Sequence, residues 1–526
     1  MNWLTKPLPA SLILVLVWTV WRLAFLLHTG LPQPGIHDEF SYLLGADTFA
    51  HGRLANPLHP LAGFFESAQE LVRPTYASKY PPGQAMFLAL GQVVLGAPFY
   101  GVLIGNALML FTFCTMLFAW VPPRWALAVT VLFGLVLSPG MYWTSSYWGG
   151  SAAASGGALV LLAIGVCRKR QTPLAGAVFA IGVLLLFWTR PYEGGVSTLM
   201  MLVVFARELW QNRRVGVVMA ALPILAVGVA WSCYDNYAVT GNPFLLPHLL
   251  HQRQYDVEPI FWFQPPRPQP TYSHPRLAAM HGINGQEANH EKTWTGWQLY
   301  AHRLIGPLGV LRWDLGSAIV LMLLAPLAWS DPVFRKMALV AGVFLLAVGA
   351  ETFHFEHYTA PVWAALALMI AIWAQRAWDL RLRKFHVGAV LVLFALVPPV
   401  MLANASIAVL SPMLRRPLTL LVGDTLNSPN LYEWSRQRSA LIDRLSALDR
   451  PQLMIVRYPS PDWRVGEEWV YNSADIDGQR VIFAHDLGGE KDRALLDYYP
   501  DRAAQLLTFD PVSGKAEVQP YPRGKF

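Results

Sequence analysis

The sequence predicts an α-helical polytopic membrane protein with a small α/β domain after its last membrane segment. Of its 526 residues, 54% are hydrophobic and 14% are charged. The apolar residues gather in stretches long enough to cross the ~30 Å hydrocarbon core of a bilayer. After about residue 405 the pattern changes to that of an amphipathic helix followed by short apolar strands.

Apolar runs predict about eleven membrane-spanning helices. They fall near 8–28, 99–120, 124–143, 150–167, 174–188, 194–206, 215–232, 315–329, 336–353, 361–375 and 386–404. The first run lacks a small-residue cleavage site and carries Arg22 late, so we expect a retained span and not a removed signal peptide. Cys114, Cys167 and Cys233 fall in or at the end of apolar runs, which predicts neither disulfides nor a thiolate metal site.

Basic residues orient the predicted spans. Clusters of Lys and Arg occupy alternate loops, at 168–171, 207–214, 334–336 and 376–384. The positive-inside rule places these loops and the N-terminus in the cytoplasm, provided that the stretch 81–96 lies on the outer membrane surface. The net charge of +7 reflects this distribution and predicts no nucleic-acid partner.

With this orientation the polar candidate residues share the outer face. The transmembrane domain is predicted to cover 1–404, with outer loops at 29–98 and 233–314. Residues 405–526 are predicted to form a soluble periplasmic α/β domain.

An acidic pair follows the first apolar run, in HDEFSYLLGADTFAHG at 37–52. Asp38 and Glu39 would lie in the first turn of a helix, where carboxylates interact favourably with the helix dipole. The alternative is chemical, because a carboxylate held at a low-dielectric boundary can have a raised pKa and serve as a general base. A second stretch, SKYPPGQ, places Lys79 and Tyr80 just before two prolines in the same outer loop.

These two motifs, in this order and followed by alternating spans, resemble the GT-C membrane glycosyltransferases. Within that superfamily they are most similar to the protein O-mannosyltransferase and aminoarabinose transferase branch, that is, to glycosyltransferase family 39. The resemblance implies a GT-C-like fold over about residues 8–405 and a polyprenyl-phosphate sugar donor.

The resemblance also implies roles for the motif residues. Asp38 would deprotonate the acceptor hydroxyl, while Glu39 would position the acceptor, bind a metal or cap the helix. Lys79 would contact the lipid phosphate as a point charge, or else extend to the interface as an ordinary membrane lysine. Tyr80 interrupts the commoner Lys-Pro-Pro pattern and is included as a substrate-binding candidate.

Further substrate-binding candidates lie at the outer ends of spans. Tyr147 and Trp148 could stack on a sugar, or belong to the interfacial aromatic belt. Arg190 could anchor a helix end or bind substrate. Arg312 interrupts an apolar stretch together with Asp314, which suits either a phosphate clamp or a salt bridge.

A divalent metal ion is the one cofactor that the sequence suggests. His354 and His357 are three residues apart, so both imidazoles could share one helical face. Two ligands are too few for a site. Additional ligands could come from His37, Glu39, His248 or His251.

The predicted function is transfer of a hexosyl or pentosyl group from a polyprenyl-phosphate donor to a lipid, glycan or protein acceptor. The reaction would occur on the periplasmic side of the bacterial inner membrane. The alternatives are a transporter or flippase, which would tend to show repeats and broken polar helices near the bilayer midplane, and a non-catalytic scaffold. Clustering of ionisable residues at one face favours the transferase.

Overall fold

The computed structural model describes most of the chain. The described residues are 5–137, 142–170, 172–210, 215–285, 287, 325–353, 355–381, 385–393, 433–460, 467–510 and 513–522. Their contacts divide the chain into two compact units. The helical unit comprises Met1–Leu31, Phe99–Trp231 and Trp297–Ser428, and the mixed unit comprises Pro32–Pro98, Ser232–Gly296 and Pro429–Phe526.

The described α-helices and strands are numbered in chain order. The helices are α1 (Pro7–Thr29), α2 (His37–Ala50), α3 (Pro82–Leu95), α4 (Phe99–Trp120), α5 (Pro123–Val136), α6 (Tyr142–Ser145), α7 (Ser151–Lys169), α8 (Pro173–Thr189), α9 (Pro191–Val204), α10 (Ala206–Trp210), α11 (Val215–Thr240), α12 (Pro247–Gln254), α13 (Pro275–His281), α14 (Pro332–Val348), α15 (Trp363–Trp378), α16 (Glu433–Ser446) and α17 (Gly489–Tyr498). The strands are β1 (Glu70–Leu71), β2 (Ala77–Ser78), β3 (Gln452–Arg457), β4 (Val481–His485), β5 (Ala503–Asp510) and β6 (Lys515–Pro520).

Among the described residues, five helical stretches are long and apolar enough to cross a membrane: α1, α4, α7, α11 and His357–Trp378, which includes α15. Many helices begin with proline at the first position, as α1, α5 and α8 do. Proline is suited to this place because its missing N–H would have no partner inside the helix. The predicted helical membrane class is thereby confirmed, while the count of eleven spans stays a prediction.

Small residues let the helices of the helical unit approach one another closely. A Cβ added to Gly157 of α7 would lie 2.2 Å from the Pro361 carbonyl oxygen. One added to Gly156 would lie 2.8 Å from Leu186 of α8. The Gly-, Ser- and Ala-rich stretch at 145–158 therefore serves helix packing in its α7 part.

The mixed unit contains a four-stranded sheet of order β4-β3-β5-β6. Strand β3 pairs in parallel with β4 and β5, and β6 pairs antiparallel with β5. Successive residues of β3 point to opposite faces, and both faces are covered. The small C-terminal α/β part that the sequence predicts is therefore present.

Residues of the first outer loop complete both cores of this sheet. On one face Leu453 and Ile455 pack with Leu44 and Phe65. On the other face Met454 packs in a cluster that contains Phe40. The contacts thus group loop 29–98 with the C-terminal sheet. The predicted division at residue 404 falls outside the described residues and stays a prediction.

Candidate functional site

Helix α2 places the acidic pair in its first turn, where the sequence pattern predicted it. Glu39 is 4% exposed. Its Oε2 accepts hydrogen bonds from the backbone N–H groups of Gly35 at 2.7 Å and Ile36 at 3.2 Å. Of the three roles open to Glu39, these bonds fit capping of the helix start.

Asp38 is held by three neighbours of different chemistry. One carboxylate oxygen, Oδ2, lies 3.0 Å from Nε2 of His37. The other, Oδ1, accepts a hydrogen bond from the Tyr80 hydroxyl, and Lys79 acts on the carboxylate through its charge. The residues that the two sequence motifs singled out therefore meet in the mixed unit, although Asp38 and Tyr80 are 42 positions apart.

The raised pKa that a carboxylate at a low-dielectric boundary can have does not arise at Asp38. Burial does raise this pKa, but the charge and hydrogen bond of His37, the charge of Lys79 and the hydrogen bond of Tyr80 together outweigh burial. The pKa of Asp38 is held well below its ordinary value. Before any substrate binds, Asp38 is an ionised carboxylate that accepts hydrogen bonds.

The hairpin that precedes α3 positions Lys79 and Tyr80. Ser78 Oγ accepts a hydrogen bond from the Tyr80 N–H at 3.2 Å and lies 2.9 Å from Ser41 Oγ of α2. The Tyr80 ring stacks on Tyr42, with centroids 4.4 Å apart, and Lys79 Nζ lies 5.3 Å from the Tyr80 centroid. The tyrosine that interrupts the expected Lys-Pro-Pro pattern is thus the partner of both Asp38 and Lys79.

Gly45 permits this close arrangement. A Cβ at this position would lie 3.0 Å from Ala85 Cβ of α3 and 3.3 Å from Ser78 Cβ of β2. These separations are tighter than ordinary van der Waals contact. Helix α2 therefore approaches the segment that carries Lys79 only because residue 45 has no side chain.

A small cleft of about 20 Å³ opens beside this cluster within the mixed unit. Polar groups in its lining come from Thr48, Ser78, Tyr80 and Asp235. Tyr80 therefore joins Asp38 to a concave surface that could receive a substrate group.

Three of the predicted substrate-binding residues belong to the helical unit. Arg190 Nη1 lies 3.3 Å from Glu193 Oε1, and its guanidinium lies 4.2 Å from the centre of the Tyr358 ring. Tyr147 and Trp148 are 6% and 9% exposed, and both pack against other aromatic rings. Substrate-binding roles for these three residues stay predictions.

The predicted metal site at His354 and His357 is described only in part. The His357 ring lies 5.2 Å from Trp148 and 5.0 Å from Tyr358, centroid to centroid. The described residues whose rings lie near His357 are aromatic. His354 lies outside the described residues, as do Arg312 and Asp314, so their roles stay predictions.

A different cluster with metal-ligand composition occurs in the mixed unit. His251, Asp256 and His281 each offer a ligand atom, and these atoms lie within 4.8 Å of one another. Sequence reasoning named His251 only as a possible additional ligand and missed the others. The available signal was the pairing of a histidine with a carboxylate five or six residues later, twice in the same outer loop.

No family model and no curated protein matches this sequence. Solved structures are similar to it over most of its length, at low sequence identity. ArnT from Cupriavidus metallidurans in the apo state is 13% identical, with a TM-score of 0.46, and the match covers 94% of this chain and 93% of that protein. The oligosaccharyltransferase AglB from Archaeoglobus fulgidus, in complex with an inhibitory peptide and a dolichol-phosphate, is 12% identical with a TM-score of 0.48. That match covers 95% of this chain and 69% of AglB. We therefore infer function from this chain's own residues.

Proposed function

We propose that this protein is an integral-membrane glycosyltransferase that transfers a sugar from a polyprenyl-phosphate donor to an acceptor hydroxyl on the outer side of the bacterial inner membrane. The observation that carries the proposal is the meeting of Asp38 with Tyr80 and Lys79 beside a cleft. A carboxylate and a cation side by side are what such a transfer requires, one for the incoming hydroxyl and one for the departing phosphate.

The proposed reaction is a single displacement. The acceptor oxygen attacks the anomeric carbon while the bond from that carbon to the phosphate oxygen breaks, and the bonding electrons leave with the phosphate. The hydroxyl proton passes to Asp38. Lys79 balances the charge on the leaving phosphate, so no acid is needed to protonate it. One catalytic carboxylate suffices, in contrast to glycoside hydrolysis with its pair.

The low pKa of Asp38 fits this reaction if the donor binds first. The positive charge of Lys79 is one of the causes that lower the pKa of Asp38. A donor phosphate that pairs with Lys79 would cancel much of this effect, and the pKa of Asp38 would rise. Asp38 would therefore become a stronger base when the donor is present.

His37 and Tyr80 would act as positioning residues. Each contacts a different oxygen of Asp38, which fixes the plane of the carboxylate. An acceptor hydroxyl could take the place of the Tyr80 hydroxyl at Oδ1. The proposal includes a hexosyl or pentosyl group as the sugar, and a lipid, glycan or protein as the acceptor.

The test combines binding and turnover for the full-length protein in detergent. Asp38→Asn should lower transfer from polyprenyl-phosphate sugars by about 10²–10⁴-fold, the usual contribution of a general base. It should still bind polyprenyl phosphate alone, measured by thermal shift. Lys79→Ala should weaken that binding by about 10-fold or more, because a charge-assisted contact is lost.

Lys491→Ala serves as the matched control, since Lys491 is an exposed lysine of the mixed unit. It should leave both measurements unchanged. Full turnover by Asp38→Asn would refute the role of the base. Unaltered lipid-phosphate affinity in Lys79→Ala would refute the phosphate contact. Movement of a lipid-linked sugar across vesicles without transfer would favour a flippase.

A further inference from the structure

We propose that the mixed unit binds one transition-metal ion of the zinc type through His251, Asp256 and His281. The site lies in the second outer loop and shares no residue with the Asp38 cluster. It does not depend on the proposed glycosyl transfer, because binding can be measured without turnover.

The ligand atoms of His251, Asp256 and His281 lie within 4.8 Å of one another, and Glu287 lies beside His281. His281 Nδ1 lies 2.9 Å from Asp256 Oδ1 and 2.8 Å from Glu287 Oε2. His251 Nδ1 lies 3.5 Å from the same Asp256 oxygen. The two imidazole rings are 5.3 Å apart and inclined at 71°. A common ion at about 2.0–2.2 Å would draw the ligand atoms that lie farthest apart, now up to 4.8 Å from one another, closer together by about 1 Å.

Burial of His251 provides the second observation. The residue is 0% exposed; within the described part of the chain its Nε2 has no hydrogen-bond partner, and its Nδ1 approaches only Asp256 Oδ1, at 3.5 Å. Burying polar atoms without a partner costs about 1–3 kcal/mol each. A metal ion bound to one ring nitrogen would remove such a cost, whereas the surrounding protein does not.

Local chain geometry builds the site from two short helices. His251 lies on α12 and Asp256 follows two residues after its end, while His281 is the last residue of α13. The Val257 N–H donates to the His281 carbonyl at 3.2 Å, which ties the two segments together. A Cβ on Gly285 would lie 2.6 Å from the Met280 carbonyl oxygen. This tight turn brings Glu287 back to His281.

The ligand set selects the class of ion. Two imidazole nitrogens and one carboxylate oxygen suit Zn²⁺, whose fourth tetrahedral position can be taken by water, whereas Ca²⁺ and Mg²⁺ prefer oxygen ligands throughout. The carboxylates of Asp256 and Glu287 are 15% and 13% exposed, against 0% for the two imidazoles. An ion can therefore enter from the carboxylate side.

A chain of hydrogen bonds leads from this site toward the Asp38 cluster. Glu287 Oε1 accepts from Gln69 Nε2 at 3.3 Å, and the Gln69 carbonyl accepts from Ser41 Oγ at 2.6 Å. Ser41 in turn contacts Ser78, which accepts from Tyr80. Glu287 contacts the ligand His281, so a bound ion would be coupled through these bonds to the segment that carries Lys79.

The experiment measures metal on the full-length protein. After purification and dialysis against zinc-free buffer, the native protein should retain about one zinc ion per chain by mass spectrometry. Co²⁺ added to the chelator-treated protein should give the visible absorption of a tetrahedral site. His251→Ala and His281→Ala should lose both signals. Gln69→Ala should bind zinc about 10–100-fold more weakly, as expected for a residue that orients a ligand through Glu287.

His51→Ala is the matched control, because it removes an exposed histidine of the same unit. It should retain the ion. Chelator should lower the melting temperature of the native protein but not that of His251→Ala, which separates loss of the ion from misfolding. Absence of zinc from the native protein, with no tetrahedral Co²⁺ signal, would overturn the proposal and leave a proton shared by His281 and its carboxylates. Equal zinc content in native protein and His251→Ala would overturn it as well.

Discussion

At the scale of single residues, neighbours decide the behaviour of Asp38 more than burial does. Its position after the first apolar run was readable from the sequence, and so was its place in the first turn of α2. The sequence could not predict whether the pKa of Asp38 is raised or lowered, because that depends on His37, Lys79 and Tyr80 lying close by in the fold. A sequence motif identifies the residue types, whereas the packing of their neighbours determines their pKa values and thus their protonation states.

Buried imidazoles in the mixed unit show the opposite case, in which burial dominates. His485 is 2% exposed and stacks on His274 with ring centroids 3.8 Å apart. Burial lowers the pKa of His485 to about 3, a fall that Arg276 reinforces and that the Glu66 carbonyl opposes. Burial also lowers the pKa of His274 well below its usual range. Both rings are therefore neutral in the folded protein.

We predict that acid weakens the mixed unit through these rings. Between the unfolded pKa near 6.5 and the folded pKa near 3, the unfolded chain binds more protons at His485 than the folded one does. Stability is therefore full above pH 6.5 and falls as the pH falls, by on the order of 2 kcal/mol at pH 5. The melting temperature measured from pH 7.5 to 4.5 should show this decline.

His485→Gln tests the assignment, since glutamine does not titrate. The variant should show a shallower decline of melting temperature with pH than the native protein. His51→Gln, which removes an exposed histidine of the same unit, should leave the slope unchanged. An identical slope in His485→Gln and native protein would contradict the role of His485.

At the scale of elements, the Asp38 cluster depends on how closely α2 approaches β2 and α3. Gly45 provides the space, as its missing Cβ would crowd Ala85 and Ser78. Proline at the first position of α3 fixes where that helix begins, directly after Tyr80 and Pro81. The site is therefore set by three elements whose spacing leaves no room for a side chain.

We predict that Gly45→Val loosens this arrangement. Two added methyl groups and a Cβ should force α2 and β2 apart, at a cost of about 1–3 kcal/mol. The melting temperature should fall, and the affinity for polyprenyl phosphate should fall with it because Lys79 follows Ser78. Gly63→Ala is the control, since a Cβ at Gly63 would meet no atom within 4 Å. Native affinity in Gly45→Val would show that the close approach is irrelevant to the site.

Elements with strong apolar patterns were predictable, and those formed by pairing were not. Runs such as QLMIVR and VIFAH predicted β3 and β4, and the residues of both strands are almost wholly buried. Strand β6, KAEVQP, is exposed at four of its six positions. Its strand conformation comes from hydrogen bonding to β5, which no periodicity in its own residues reveals.

At the scale of the whole molecule, the mixed unit is assembled from three separate segments of the chain. The sequence predicted an outer loop and a C-terminal α/β part but could not predict that they share two cores. Long-range contacts confirm the sharing, since the Ala474 N–H donates to Asp47 Oδ2 at 2.8 Å across 427 positions. Local patterns carry no information on pairings at this distance.

We predict that the first outer loop and the C-terminal sheet unfold together. Phe65→Ala removes a side chain that is 1% exposed, at a cost of about 3–5 kcal/mol. Hydrogen exchange should then quicken in β3 and β4 as well as around residue 65. Leu58→Ala, at a position that is 47% exposed, should alter neither segment. Faster exchange around residue 65 alone would show two independent units.

The contact between His59 and Tyr499, whose polar atoms lie 3.1 Å apart across 440 positions, has a consequence for synthesis of the protein. At about 5–20 residues per second, the ribosome needs roughly 20 to 90 seconds to deliver the second residue after the first. Until the C-terminal strands have been synthesised, Phe65 and its apolar neighbours are not covered by them. A nascent chain of this kind is exposed to proteases and to aggregation until these residues emerge, so chaperone assistance would affect its yield.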